Sequence, residues 1–124
     1  MLGWYNISMS IDEEQSKFFG EALKCFDKAL EIDPNYTYAW VSKGLAFFNK
    51  KDYDQALVCY DKALEIDPNY TYAWNSKGLA LSNKNDYDQA LKCFDKALEI
   101  DPNYRDAWTS KGKLLLTKMT LIKP

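Results

Sequence analysis

A chain of 124 residues that is 47% hydrophobic and 15% aromatic carries ample material for a core, which excludes a disordered segment. Its 16 basic and 18 acidic residues leave a formal charge of -2, and Arg105 is its only arginine, so nothing electrostatic favours nucleic acid or an anionic membrane as the main partner. No apolar run approaches the roughly 20 residues that span a bilayer, and the start "MLGWYNISMSIDEE" lacks the basic and apolar regions of a signal peptide, so a cytoplasmic location is expected.

From the N-terminus, Trp4, Ile7, Ser8 and Ile11 stand near helical spacing and predict a first helix, ended by a turn near "DEEQSK". A partner helix carries Ala22, Phe26 and Ala29 and stops ahead of Pro34, because proline disfavours helical geometry in the residue before it. The phrase "DPNYTYAW" from Asp33 opens the next helix, with Tyr36, Ala39, Trp40, Leu45 and Phe47 on the helical pattern. Asp33 or Asn35 is expected to accept from its free N–H groups, with Pro34 tolerated in the first turn. After Asn49 the polar run "KKD" breaks the pattern, and Asp52 followed by Gln55 approximates a capping box. A second helix of this unit is predicted from about Tyr53 to Ile66, with Tyr53, Ala56, Leu57, Tyr60, Ala63 and Leu64 as its apolar stripe.

Everything from Asp33 to Ile66 then recurs without a gap from Asp67 to Ile100. The two stretches differ only at Val41/Asn75, Phe47/Leu81, Phe48/Ser82, Lys51/Asn85, Val58/Lys92 and Tyr60/Phe94, so they are a tandem duplication with a period of 34. The phrase returns as "DPNYRDAW" at Asp101 and opens a last helix containing Trp108, Gly112 and Leu115. One helix pair buries too little apolar surface to offset the entropy of ordering it, so the units must stack. Gly44, Ala56 and Ala63 suit places where helix axes approach closely, with Trp40 and Tyr60 as fillers between layers.

A 34-residue helix pair marked by Trp40, Gly44, Phe47, Ala56, Tyr60, Ala63 and Pro68, and again by Trp74, Gly78, Leu81, Ala90, Phe94, Ala97 and Pro102, resembles the tetratricopeptide repeat. Lys43 and Lys77 stand where that pattern has leucine. The resemblance implies an all-α fold, an α-solenoid of stacked antiparallel helix pairs in a right-handed superhelix. It is expected as one domain over 1–124, with repeats at about 1–34, 35–68 and 69–102 and a terminal helix at about 103–122.

Catalytic chemistry has little to work with. There is no histidine, and most carboxylates recur with the period, as Asp27, Asp61 and Asp95 do, whereas a catalytic pair would be singular. Cys25, Cys59 and Cys93 are also 34 apart, on successive helices about 8–10 Å from one another. That exceeds the roughly 7 Å reach of a disulfide, and without C-x-x-C spacing or histidine no metal site is expected. The expectation is a non-enzymatic protein with no cofactor.

In the resembling family the concave face, lined mainly by the first helix of each pair, takes a peptide or partner protein. Carried onto this chain, the groove positions are Tyr5 and Met9 in the first unit and Tyr38, Val41, Leu45, Phe48 and Asn49 in the second. The third unit supplies Tyr72, Asn75, Leu79, Ser82 and Asn83, and the last helix Thr109 and Lys113. Members that grip the carboxylate end of heat-shock chaperones use lysine, arginine and asparagine there, where this chain has Tyr38, Ser42, Tyr72, Ser76 and Asp106, which speaks against that ligand. Two of the six differences between the duplicated stretches, Val41/Asn75 and Phe48/Ser82, fall on groove positions and exchange apolar for polar. The expected function is a protein-protein interaction scaffold, with a stacking segment of a longer array or a self-associating protomer as the alternative. The last helix favours self-association, since Leu116, Met119, Leu121 and Ile122 stand close together on a segment with no second helix to cover it, and a homodimer through this helix is expected.

Overall fold

The computed structural model describes the backbone of residues 2–122 and the side chains of residues 11–122. Six helices follow in order: α1 (Leu2–Ile32), α2 (Thr37–Asn49), α3 (Tyr53–Ile66), α4 (Thr71–Asn83), α5 (Tyr87–Ile100) and α6 (Arg105–Leu121), with no strand among the described residues. None is long and apolar enough to cross a membrane. Each packs on its neighbours in sequence, so α2–α3 and α4–α5 are the two complete antiparallel pairs.

The first unit departs from expectation. No turn interrupts it near "DEEQSK"; α1 is one helix of 31 residues. The reason is local. The other boundaries carry proline or a left-handed residue, whereas residues 12–17 are Asp, Glu, Glu, Gln, Ser and Lys, most of them good helix formers. The array is therefore two whole pairs flanked by one unpaired helix at each end, and not three pairs plus a helix.

The duplicated phrase folds as a self-contained turn. Asp33 Oδ1 accepts from the Asn35 N–H at 3.0 Å, and Asp67 and Asp101 do the same for Asn69 and Asn103, both at 3.1 Å. The aspartate is thus spent inside the turn and does not cap the helix; α2, α4 and α6 start after Tyr36, Tyr70 and Tyr104, with no side-chain cap. The tryptophan closes the turn from the helix side, since Trp40, Trp74 and Trp108 Nε1 donate to the carbonyls of Pro34, Pro68 and Pro102 at 3.1, 2.8 and 2.8 Å.

Between the helices of a pair, the chain reverses through a left-handed residue, Lys51 at φ 63° and Asn85 at φ 67°. Lys51 N–H donates to Phe48 O and Asp52 N–H to Phe47 O, which is the Schellman arrangement, and Asn85 and Asp86 repeat it. Asp52 and Asp86 then cap α3 and α5, accepting from the Gln55 and Gln89 N–H groups at 3.2 and 3.4 Å.

Packing within a pair depends on a missing side chain. A Cβ on Gly44 would lie 2.5 Å from Tyr60 Cε1 and 3.1 Å from Cys59 Cβ, and one on Gly78 would lie 2.7 Å from Phe94 Cδ1. Tyr60 and Phe94 are each only 1% exposed. Alanines with no exposed surface, among them Ala56, Ala63, Ala73, Ala90, Ala97 and Ala107, let neighbouring axes come close.

Adjacent pairs are tied by the residue that departs from the family pattern. Lys43, Lys77 and Lys111 reach back to Asp27, Asp61 and Asp95 at 2.7, 2.8 and 2.7 Å. Each ammonium also lies 5.5–5.8 Å from the ring centroid of the tryptophan one turn earlier. The array curves: α2 touches α4 and α4 touches α6, but among the described residues α1, α3 and α5 never approach one another within 8 Å between Cα atoms. The α2–α4–α6 row is therefore the inside of the bend.

Two predictions test these features. Gly44→Ala or Gly78→Ala should lower the unfolding free energy in urea by about 1–3 kcal/mol, because the buried ring has nowhere to go. Gly112→Ala, with nothing among the described residues within 4 Å of its position, should raise it by up to about 1 kcal/mol at concentrations where the chain is monomeric, through helix propensity alone. Replacing Lys51 by asparagine, the residue used at the equivalent reversal, should stabilise by on the order of 0.5–1 kcal/mol, since asparagine tolerates positive φ; an unchanged urea midpoint would show that Lys51 carries no strain.

Candidate functional site

The inner row forms a trough. One cavity of about 320 Å³ lies where α2, α4 and α6 meet, walled by Leu45 and Phe48 of α2, Tyr72, Asn75, Ser76 and Leu79 of α4, and Asp106, Thr109, Ser110 and Lys113 of α6, with Tyr60 at its back. A second, of about 430 Å³, lies between α2 and α4 and is lined by Tyr38, Val41, Ser42, Leu45, Tyr70 and Tyr72. Leu45 and Tyr72 line both cavities, so the two adjoin along the same inner row.

Of the positions expected on the groove, Tyr38, Leu45, Phe48, Tyr72, Asn75, Leu79, Thr109 and Lys113 line these cavities. Tyr38, Leu45, Tyr72 and Leu79 are exposed large hydrophobics. Val41 requires a correction. It touches the second cavity but is only 1% exposed and belongs to the core cluster with Ala56, Tyr60 and Ala63, so it is a packing residue and offers no free anchor. Asn49, Ser82 and Asn83 line neither cavity; Asn83 Nδ2 donates to the Leu79 carbonyl at 2.8 Å, one turn back in its own helix. Tyr5 and Met9 lie outside the residues whose side chains are described.

Tyr70, Ser110 and the buried Tyr60 line the trough without having been expected there. Ser110 had a signal in the sequence, being two residues after a tryptophan as Ser42 and Ser76 are. Tyr60 had none, since its burial depends on Gly44 opposite it.

Polar chemistry in the trough is sparse. Asn75 occupies the position of Val41 one unit on and is buried, and its Oδ1 has no hydrogen-bond partner. Lys113 is the only cation in the walls of the two cavities and shares the α6 wall with Asp106. Tyrosines pair near the trough, Tyr36 with the cavity-lining Tyr38 at 6.2 Å and Tyr70 with Tyr72 at 6.4 Å between ring centroids. Burial, followed by the neighbouring tyrosines, pushes the Tyr70 phenol above its usual range. Such walls suit apolar and aromatic contacts, with the hydroxyls and the Asn75 amide fixing orientation.

The thiols lie away from the trough and are free, Cys25 exposed and Cys59 and Cys93 buried. Burial pushes Cys93 from 9.0 up to about 11, and raises Cys59 in the same direction. The folded state therefore holds protons that the unfolded chain has released. This stabilisation is complete below the unfolded pKa near 9 and is lost as pH rises toward 11. Stability should be level from pH 7 to 8 and fall between pH 9 and 11, with a shallower fall in Cys93→Ala. In native protein a thiol reagent should modify Cys25 first, and rapid labelling of Cys93 at neutral pH would contradict its burial.

Among known proteins, a family model described as the tetratricopeptide repeat matches residues 37–70 and 71–104, and a second tetratricopeptide model matches residues 14–36. No curated protein sequence matches the chain. Of the solved structures it resembles, the first tetratricopeptide domain of Spaghetti (RPAP3), bound to HSP90 peptide SRMEEVD, is 22% identical over 90% of this chain and 92% of that one, with a TM-score of 0.76. The first tetratricopeptide domain of human RPAP3 is 23% identical over 92% and 96%, also with a TM-score of 0.76. The Arabidopsis OM64 tetratricopeptide domain is 22% identical over 82% and 84%, with a TM-score of 0.72. With repeat models over most of its length, and the helix pairs, turns and glycine contacts described above, the chain belongs to the tetratricopeptide repeat family.

Proposed function

We propose that the chain is a non-enzymatic protein-interaction scaffold that takes a peptide along the trough of α2, α4 and α6. The observation that carries this reading is the pair of adjoining cavities that share Leu45 and Tyr72, mainly apolar hollows on the inside of a curved array. It is supported by the structural neighbour bound to HSP90 peptide SRMEEVD, a protein of the same fold with a peptide ligand. The chemistry here differs from what an acidic tail requires. Lys113 shares its cavity wall with Asp106, and Lys43, Lys77 and Lys111 are engaged with aspartates of the preceding helix. The favoured ligand is a peptide with aromatic or aliphatic anchors. Three unpaired thiols suit a reducing compartment and support a cytoplasmic location.

A second reading, the self-associating protomer, rests on α6, where Leu115, Leu116, Met119, Leu121 and Ile122 are all exposed. Contiguous exposed apolar surface of this kind marks an interaction surface.

Peptides selected from a random library against the folded chain test the first reading. They should be enriched in aromatic and aliphatic residues, and a Leu45→Ser, Tyr72→Ala variant should bind them about 30-fold more weakly while its urea midpoint moves little, as loss of a central anchor of about 2 kcal/mol implies. Selected peptides that bind the variant as tightly as the parent would place the site elsewhere.

A further inference from the structure

We propose that α1 of a second copy of this chain seats on the open face of α6, so that copies join head to tail into one unbroken solenoid. The inference rests on reading the chain as a self-associating protomer and specifies its geometry. The structure holds an open seat on α6 and, in α1, the element that fits it.

The seat is on α6. In each complete pair, the glycine four residues after the tryptophan is covered by an aromatic ring, Gly44 by Tyr60 and Gly78 by Phe94, but nothing lies within 4 Å of the Cβ position on Gly112. Three residues further on, Leu81 packs against the cluster of Ala90, Phe94 and Leu114, while its counterpart Leu115 is 46% exposed. No described helix covers this face of α6, which packs only on α5 and α4.

The matching element is the second half of α1. Residues Ala22 to Ile32 are identical, letter for letter, to Ala90 to Ile100, the segment of α5 that packs on α4. Phe26 holds the place of Phe94, and Ala22 and Ala29 those of Ala90 and Ala97. Ala90, Phe94 and Ala97 are fully buried, whereas Ala22, Phe26 and Ala29 are only half-buried, because among the described residues α1 packs on α2 alone. Cys25 is exposed for the same reason, where Cys59 and Cys93 are buried.

Seated this way, Phe26 of the second copy covers Gly112 as Phe94 covers Gly78. The second copy's α2 then follows α6 as the next helix of the inner row, and the trough continues across the joint. The contact is heterologous and leaves a free seat and a free α1 at the two ends, so assembly is open-ended and does not stop at a dimer.

The test closes the seat or disables its occupant. A Cβ on Gly78 would lie 2.7 Å from Phe94 Cδ1, so in Gly112→Leu the added side chain should collide with Phe26 of the next copy and weaken self-association at least about tenfold. Phe26→Glu should do the same from the other side of the joint. An equimolar mixture of the two variants, each keeping one intact surface, should form dimers and nothing longer. Light scattering of the unmodified chain should show a mass that climbs with concentration beyond the dimer, while labelling of Cys25 slows. A chain monomeric at every concentration would overturn both the inference and the self-association reading. A concentration-dependent dimer that Phe26→Glu leaves unchanged would overturn the head-to-tail joint and leave self-association through α6 standing.

Discussion

Two helices of this chain can lie against each other because one of them lacks a side chain at the point of contact. Tyr60 over Gly44 and Phe94 over Gly78 leave no room for even a methyl group. The ring fills the space between helices and is held nearly free of solvent. Much else follows from that close approach. The fully buried alanines on α3 and α5 face neighbouring helices across the same small distance, and the left-handed reversals at Lys51 and Asn85 return the chain sharply enough to bring ring and glycine into register. Where no ring covers a glycine, as at Gly112, the helix face stays open.

The second constraint joins one pair to the next. Each repeat boundary concentrates three interactions around one tryptophan: the indole donates to a proline carbonyl, its ring face lies under a lysine ammonium, and that ammonium bridges to an aspartate on the preceding helix. An exposed ion pair alone contributes little, typically under about 1 kcal/mol. Here the lysine is about three-quarters shielded and its ammonium lies 5.5 Å from the indole centroid, so packing and charge act on the same side chain. The lysine that stands where the family pattern has leucine thus makes a contact between successive repeats.

Much of this was legible in the sequence because the punctuation is strong. Proline and the Asp-Asn turn mark every boundary between pairs, and α3 runs from Tyr53 to Ile66 as the apolar stripe predicts. The start of α2 shifted because Asp33 could bond within its own turn, a competition between two local acceptors that composition does not decide. The first unit was misread because tryptophan spacing suggested a helix pair while the residues between favoured continuous helix. Cavity-lining positions such as Leu45, Tyr72 and Leu79 were legible through family resemblance, but Val41 was not separable from them, since its burial is set by Tyr60 and Ala56 of the partner helix. The lysine-aspartate ties link residues 16 apart across a turn, a distance that no helical periodicity reports.

The curvature has a mechanical meaning. Along the inner row successive helices touch, while α1, α3 and α5 stand clear of one another among the described residues. When such a stack flexes, the gaps on the outside widen or narrow and the contacts on the inside persist, so the neutral line of bending runs along α2, α4 and α6. Distances along that line change least as the array breathes. An extended chain lying there keeps its anchor points in step with the 34-residue period while the body around it tightens or relaxes, which lets a compliant protein maintain a fixed ruler.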